Sequence, residues 1–144
     1  MWACIDAEII SSQLYTDGAF VAEDFTGATG AVVRRADGSF VAASSRRINS
    51  ASSVLMTEAE ALRNGIWLIP QGTLDKVVVE TDSQELVALW RSRQNNRYSV
   101  GHVRRTANNA AHLCARNALG SAGLMLCSVE GDKKYFFFPG MRVM

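Results

Sequence analysis

The sequence LDKVVVETDSQELVALW at residues 74–90 decides the fold class of this chain. Residues 77–79 form a β-branched apolar run, which is typical of a short strand buried on both faces. Asp82 stands where this strand should end, and apolar side chains then recur at helical spacing. α/β proteins commonly place their chemistry at the carboxyl end of such a strand. Asp82 is therefore a candidate functional residue, and the alternative is that it only caps the helix.

The composition predicts one globular domain. A chain of 144 residues can form one full core. A net charge of +1 gives no overall attraction to nucleic acid or membranes, and its arginine pairs are typical of solvated surface. The three cysteines lack CxxC spacing, which suits a reducing compartment, and neither a signal peptide nor a membrane-spanning run is present. We therefore expect an intracellular protein, nuclear or cytoplasmic, that is not secreted and has no membrane partner.

The segments before residue 74 predict three strands and a helix. Residues 9–16 form a candidate strand that is followed directly by Asp17, and TGATG at residues 26–30 resembles a flexible loop. AVVRR and SFVAASS on either side of an Asp-Gly pair indicate a hairpin. TEAEALRNGIWLI then has a helical pattern that begins with a capping box of Thr57 and Glu60. This start places Glu58 in the first turn, where the helix dipole favours an acid.

The segments after residue 90 predict a further strand at residues 98–103 and a helix at residues 108–119. The element order is therefore β-β-β-α-β-α-β-α, with antiparallel pairing first and αβ alternation afterwards. The aromatic run YFFF at residues 135–138 has high strand propensity. We expect it to contact either the domain or a protein partner, because an exposed run of this kind favours aggregation.

Three acids occupy comparable places in this order, namely Asp17, Glu58 and Asp82. Carboxylates that lie close together repel each other unless a cation joins them. Their hard oxygen ligands suit magnesium or manganese, and two such ions can activate a water and stabilise the leaving oxygen of a phosphodiester. The alternatives are that Asp17 lies in a turn at the end of a strand, that Glu58 only interacts with the helix dipole, and that Asp82 only caps a helix.

Five segments taken together resemble the ribonuclease H family: TDGAF, GAVVRRADGSFVAASS, TEAEALRNGI, VVVETDSQELV and GHVRRTANNAAHLCARNAL. The closest resemblance is to the plant reverse-transcriptase-like subgroup of type 1 ribonuclease H domains. It implies a three-layer α/β fold, in which helices flank a mixed five-stranded sheet whose first three strands are antiparallel. The corresponding domain is residues 12–122, with an N-terminal extension at 1–11 and a C-terminal extension at 123–144 that contains the aromatic run.

The resemblance implies a metal-dependent endonuclease that hydrolyses the RNA strand of RNA–DNA hybrids by a two-metal mechanism, using Mg²⁺ or Mn²⁺. Asp17, Glu58 and Asp82 match the metal-binding acids of the family and are therefore its expected catalytic residues. His102 in GHVRRTAN lines up with the mobile histidine of the family, so the resemblance implies a role in proton transfer or product release, and imidazole chemistry suits either role. The alternative for His102 is a strand-edge residue without a role.

Other matched positions concern a fourth metal ligand and the nucleic acid. His112 lies where the family usually has an aspartate and the plant subgroup commonly has histidine. Either it contacts the metal, or it is a hydrogen-bonded structural residue. The resemblance implies nucleic-acid contacts by Gln84 and Asn108, and by Gly18, whose missing side chain would let a substrate backbone approach.

A second functional hypothesis is a catalytically weak or silent domain that binds nucleic acid or protein. The three retained acids favour the nuclease. Three features favour the silent domain. They are His112, the presence of Leu55 where the family often has asparagine, and a short 83–101 interval that has no room for the family's additional helix. A nucleotide-binding α/β protein is a third hypothesis, but the sequence contains neither a GxGxxG nor a GKS/GKT loop.

Overall fold

The computed structural model describes residues 12–69, 77–92 and 98–120 in full, and residues 124–130 and 133–137 as backbone strands. The elements within these ranges follow in chain order: β1 Ser12–Val21, β2 Thr26–Arg35, β3 Phe40–Ile48, α1 Val54–Trp67, β4 Val77–Thr81, α2 Gln84–Arg91, β5 Tyr98–His102, α3 Asn109–Leu119, β6 Leu124–Glu130 and β7 Lys133–Phe137.

The strands form one mixed sheet in the order β5-β4-β1-β2-β3-β6-β7. Strands β1, β2 and β3 pair antiparallel, whereas β4 pairs parallel to both β1 and β5. The predicted five-stranded mixed sheet is therefore confirmed. Strands β6 and β7 continue it antiparallel beyond β3, and residues 135–137 of the aromatic run lie in β7. The domain boundaries and a partner for this run stay predictions.

Helices α1 and α2 cover one face of the sheet, and α3 covers the other. The core beneath α1 and α2 contains Leu14 and Val79 from the sheet, Leu62 from α1 and Val87 from α2. Side chains alternate along a strand, so Asp17 faces away from this core and toward α3. Within the described ranges, no helix has the length and apolar character needed to span a membrane.

Strand β1 continues through Asp17 because its pairing with β2 is unbroken from Ser12 to Val21. The predictions that a strand ends before Asp17, and that residues 26–30 form a loop, are therefore wrong. The small residues of TGATG serve packing instead. A Cβ at Gly30 would overlap the carbonyl oxygen of Ala111 in α3, so this glycine allows helix and sheet to approach closely.

Helix α1 begins earlier than the sequence predicts. Ser53 is its N-cap, and the Ser53 hydroxyl accepts a hydrogen bond from the Met56 N–H at 3.1 Å. Thr57 does not cap the helix, because its hydroxyl donates to the Val54 carbonyl at 2.7 Å. The predicted capping box is wrong, since Ser53 has equal capping ability and lies one turn earlier. Glu58 consequently lies beyond the first turn, where the dipole effect is weak.

Candidate metal centre

The three predicted acids converge at one end of the sheet. Asp17 projects from β1, Glu58 projects from α1, and Asp82 directly follows β4, the parallel neighbour of β1. One carboxylate oxygen from each lies within 4.8 Å of the others, so the group could hold metal ions. The parallel pairing explains this convergence, because Thr16 and Thr81 are in register and the next residue of each strand is an acid.

The helix-cap alternative for Asp82 is excluded. Ser83 is the N-cap of α2, and its hydroxyl accepts a hydrogen bond from the Leu86 N–H at 3.2 Å. The Ser83 N–H is itself bonded to the Thr81 hydroxyl at 3.1 Å, which fixes the turn between β4 and α2. Asp82 is thereby held at the end of β4 with its carboxylate directed toward the other acids.

Burial and mutual repulsion make the acidic cluster a poor place for three free charges. Asp17 and Glu58 are 1% and 5% exposed, respectively. Burial raises the pKa of Glu58 to about 8, and the charges of Asp17 and Asp82 contribute to the rise. Burial likewise raises the pKa of Asp17, against a lowering by a hydrogen bond from His112. Without a counter-charge, this centre retains protons that free carboxylates would lose.

The residues present fit a hard divalent cation. Among the described residues, Oε2 of Glu58 is buried and has no hydrogen-bond partner. An ionised carboxylate oxygen can only accept, and leaving it buried without a partner is costly. A cation between the three carboxylates would neutralise the charge and satisfy this oxygen. An all-oxygen donor set is the kind that magnesium and manganese prefer.

His112 contacts the cluster through Asp17. Its Nδ1 lies 2.8 Å from Oδ2 of Asp17, so the ring orients this carboxylate. The described cluster of candidate ligands comprises the three acids without His112. Direct metal contact by His112 therefore stays a prediction, while its hydrogen bond to Asp17 is observed.

His102 and Gln84 lie at the same end of the sheet as the acids. His102 ends β5 in register with Thr81, the residue before Asp82. Gln84 begins α2 two residues after Asp82. Both side chains are exposed, so a substrate above the cluster can reach them. Their roles in proton transfer and nucleic-acid contact stay predictions.

Asn108 and Gly18 have structural functions that the sequence did not indicate. Asn108 is completely buried, and its side-chain amide donates to the Thr16 carbonyl at 2.7 Å. This bond anchors the start of α3 beside Asp17, and the predicted contact of Asn108 with nucleic acid stays a prediction. A Cβ at Gly18 would lie 2.6 Å from the Glu58 nitrogen. Gly18 therefore allows α1 to approach β1 closely, and its predicted contact with a substrate backbone stays a prediction.

Sequence reasoning missed one residue at the site, Arg105. Its Nε lies 3.6 Å from Oδ2 of Asp82. The sequence predicts only solvated surface for the arginine pair at residues 104–105. The available signal was its position three residues after His102, in the connection that leads to the buried Asn108.

Comparisons with known proteins agree with this architecture. Residues 15–99 match the family model described as reverse transcriptase-like. No curated protein matches the chain. The N-terminal RNase H domain of a Mycobacterium tuberculosis protein, solved as a maltose-binding-protein fusion, superposes with a TM-score of 0.69 at 22% identity, covering 77% of this chain and 94% of that chain.

Two further solved structures are similar. RNase H1 from the halophilic archaeon Halobacterium salinarum has a TM-score of 0.66 at 24% identity, and the alignment covers 77% of this chain and 98% of that chain. LC11-RNase H1, solved in complex with an RNA/DNA hybrid, has a TM-score of 0.67 at 18% identity, and the alignment covers 76% of this chain and 96% of that chain. At these identities the similarity establishes the fold. The family match spans more than half of the 144 residues, and this chain is thus a member of the reverse transcriptase-like family, with a ribonuclease H-like fold.

Proposed function

We propose that this protein is a divalent-metal-dependent nuclease that hydrolyses the RNA strand of RNA–DNA hybrids. The observation that carries the proposal is the convergence of Asp17, Glu58 and Asp82, whose carboxylate oxygens lie within 4.8 Å of one another. Membership of the reverse transcriptase-like family and the hybrid bound to the similar LC11-RNase H1 support the choice of substrate.

The three acids would hold Mg²⁺ or Mn²⁺, and two ions are the proposed complement. Such ions supply an activated water and charge stabilisation for the leaving oxygen of a phosphodiester. Oε2 of Glu58, which has no hydrogen-bond partner among the described residues, and the raised pKa of Glu58 support this assignment, because a positive charge between the carboxylates would satisfy the oxygen and favour the ionised acid. Burial around the carboxylates strengthens their attraction for a cation, since little water competes with it.

The neighbouring side chains have distinct proposed tasks. His112 orients Asp17 through its hydrogen bond, and His112 is also a candidate fourth ligand. His102 is exposed at the end of β5, where its imidazole exchanges a proton with solvent or product. Gln84 offers an exposed amide to the minor groove, where the 2′-hydroxyl distinguishes the RNA strand from DNA.

The second candidate is a catalytically silent domain that binds nucleic acid or protein. The histidine at position 112, where the family usually has an aspartate, favours it. An aspartate at position 112 would add an anionic oxygen ligand, whereas imidazole prefers softer metals than magnesium. This candidate predicts binding of the hybrid without cleavage.

A cleavage assay separates the two candidates. We expect the wild-type protein to cut the labelled RNA strand of a hybrid with Mg²⁺ or Mn²⁺, and to lose this activity in EDTA. The Asp82→Asn variant should be at least about 100-fold slower, because metal-derived charge stabilisation amounts to several kcal/mol. Single-stranded RNA and a DNA duplex are the substrate controls. Equal cleavage by Asp82→Asn would contradict the proposal, and binding without cleavage would favour the silent domain.

A further inference from the structure

Arg105 forms a loose ion pair at the mouth of the acidic cluster. Its Nε lies 3.6 Å from Oδ2 of Asp82, and the two side chains are 71% and 14% exposed, respectively. A charge-assisted hydrogen bond of this type is normally about 2.7–2.9 Å long. Exposed ion pairs with such geometry contribute little to stability. The contact with Asp82 therefore does not by itself explain the position of Arg105.

The backbone on either side of Arg105 explains its position. The Val103 N–H donates to the Thr81 carbonyl at 2.9 Å, next to Asp82. On the other side, the buried Asn108 amide donates to the Thr16 carbonyl, next to Asp17. The connection from β5 to α3 is thus tied at both ends to the strands that present two of the acids. This attachment presents the guanidinium beside the cluster and directs most of it into solvent.

A guanidinium in this position has the chemistry of a phosphate-binding group. Its planar fork carries five N–H donors and matches two oxygens of one phosphate. Within the described part of the chain, Asp82 is the one acid recorded at ion-pair distance from Arg105. Because the contact is made through Nε at 3.6 Å and the Arg105 side chain is 71% exposed, Asp82 holds the guanidinium only weakly, even without a cation on the carboxylates. The fork is therefore available to an anion that approaches the cluster.

We infer that Arg105 binds a backbone phosphate of the nucleic acid at the edge of the acidic cluster. The inference rests on the proposed function for the identity of the ligand, a nucleic-acid strand. Arg105 offsets the repulsion between this phosphate and the three carboxylates, and it fixes the position of the strand relative to them.

Arg104 provides a matched control. It precedes Arg105 in the same connection and is also exposed. Its side chain forms no ion pair with the residues that the structure describes. Arg104→Ala and Arg105→Ala remove the same charge from adjacent positions. A difference between their affinities for the hybrid therefore reports a specific contact of Arg105 rather than the loss of one positive charge from the surface. Arg105→Lys retains the charge and removes the fork.

The test is equilibrium binding of a fluorescent RNA–DNA hybrid in EDTA, where the substrate remains intact, over a range of salt concentrations. We expect Arg105→Ala to raise Kd about tenfold and to reduce the salt slope by about 0.9, as for one lost phosphate contact. Arg104→Ala should change Kd by less than about twofold, because its charge lies outside the contact. Arg105→Lys should have an intermediate Kd, because a point charge replaces a bidentate donor.

A second readout distinguishes a ligand contact from a structural counter-charge. In a calorimetric titration with Mg²⁺ alone, Arg105→Ala should bind the metal with an affinity equal to or higher than that of the wild type. The reason is that the substitution removes a guanidinium that competes with Mg²⁺ for Asp82. Equal hybrid affinity of Arg105→Ala and wild type would overturn the inference, as would equal losses in both alanine variants. Absence of hybrid binding by the wild type would also overturn it. The proposed function is tested by a separate measurement, metal-dependent cleavage. A failure of the proposed function can therefore be distinguished from a failure of this inference.

Discussion

His112 shows how a single side chain acts on the centre through its neighbour. The imidazole Nδ1 is hydrogen-bonded to Oδ2 of Asp17 at 2.8 Å and thereby restrains the orientation of this carboxylate. A hydrogen bond of this kind fixes the rotamer of a candidate ligand and tunes its basicity. At this scale, the difference between a ligand and a residue that orients a ligand can be measured by substitution.

We expect His112→Ala to weaken Mg²⁺ affinity about tenfold or more, as is typical when a partner of a metal ligand is lost. The reason is that Asp17 loses the bond that orients it, while all three acids remain. His112→Asn, which retains a donor, should recover part of the affinity. Isothermal titration calorimetry with Mg²⁺ and Mn²⁺ is the measurement. A loss confined to one of the two metals in both variants would instead indicate that His112 is a direct ligand.

At the scale of elements, glycines determine how closely the helices approach the sheet. Gly18 admits the first turns of α1, and Gly30 admits α3. These two helices carry Glu58 and His112, respectively, so the packing distance sets the geometry of the metal centre. Gly30 also pairs in register with Asp17 and faces the same helix. The packing of the helices and the geometry of the metal centre therefore both depend on strands β1 and β2.

Gly30→Ala should destabilise the fold by about 1–3 kcal/mol, the usual cost of overpacking a core. The added methyl group would meet Ala111 and Ala115 backbone atoms of α3, which cannot move without displacing the helix. Gly101→Ala in β5 is the matched control, because its Cβ meets nothing within 4 Å. Urea unfolding monitored by circular dichroism measures both variants. Equal unfolding midpoints for the two would contradict the packing argument.

At the scale of the whole molecule, folding concentrates three acids from separate parts of the chain. The folded-state pKa of Glu58, about 8, lies above the ordinary value of 4.5 because of burial and the charges of Asp17 and Asp82. The folded protein therefore binds this proton more tightly than the unfolded chain does. Its stabilising contribution is complete below about pH 4.5 and is lost as the pH rises through about 8.

We accordingly expect the Tm of the metal-free protein to fall between pH 5 and pH 9, by several degrees in EDTA. Glu58→Gln should flatten much of this fall, and the raised pKa of Asp17 explains the part that remains. Added Mg²⁺ should raise Tm more at pH 8 than at pH 6, because it no longer competes with a proton. Differential scanning fluorimetry across pH measures each effect. An identical pH dependence in Glu58→Gln would refute this account.

The parts of the fold that sequence predicted correctly depend on interactions over a few residues. The β-branched run at 77–79 and the apolar period after Asp82 predicted β4 and α2, because strand propensity and helical periodicity act locally. The resemblance to the ribonuclease H family supplied the pairing of distant strands. It also supplied the expectation that Asp17, Glu58 and Asp82 converge, which the structure bears out.

By itself, the sequence determined the central strand and helix, the hairpin pattern and the identity of the three acids. Tertiary structure decided the continuation of β1 past Asp17, the burial of Asn108 and the approach of Arg105 to Asp82. Each of these depends on strand register or on how a helix docks against the sheet. Register and docking are set by contacts between residues far apart in the chain, and no local pattern contains that information.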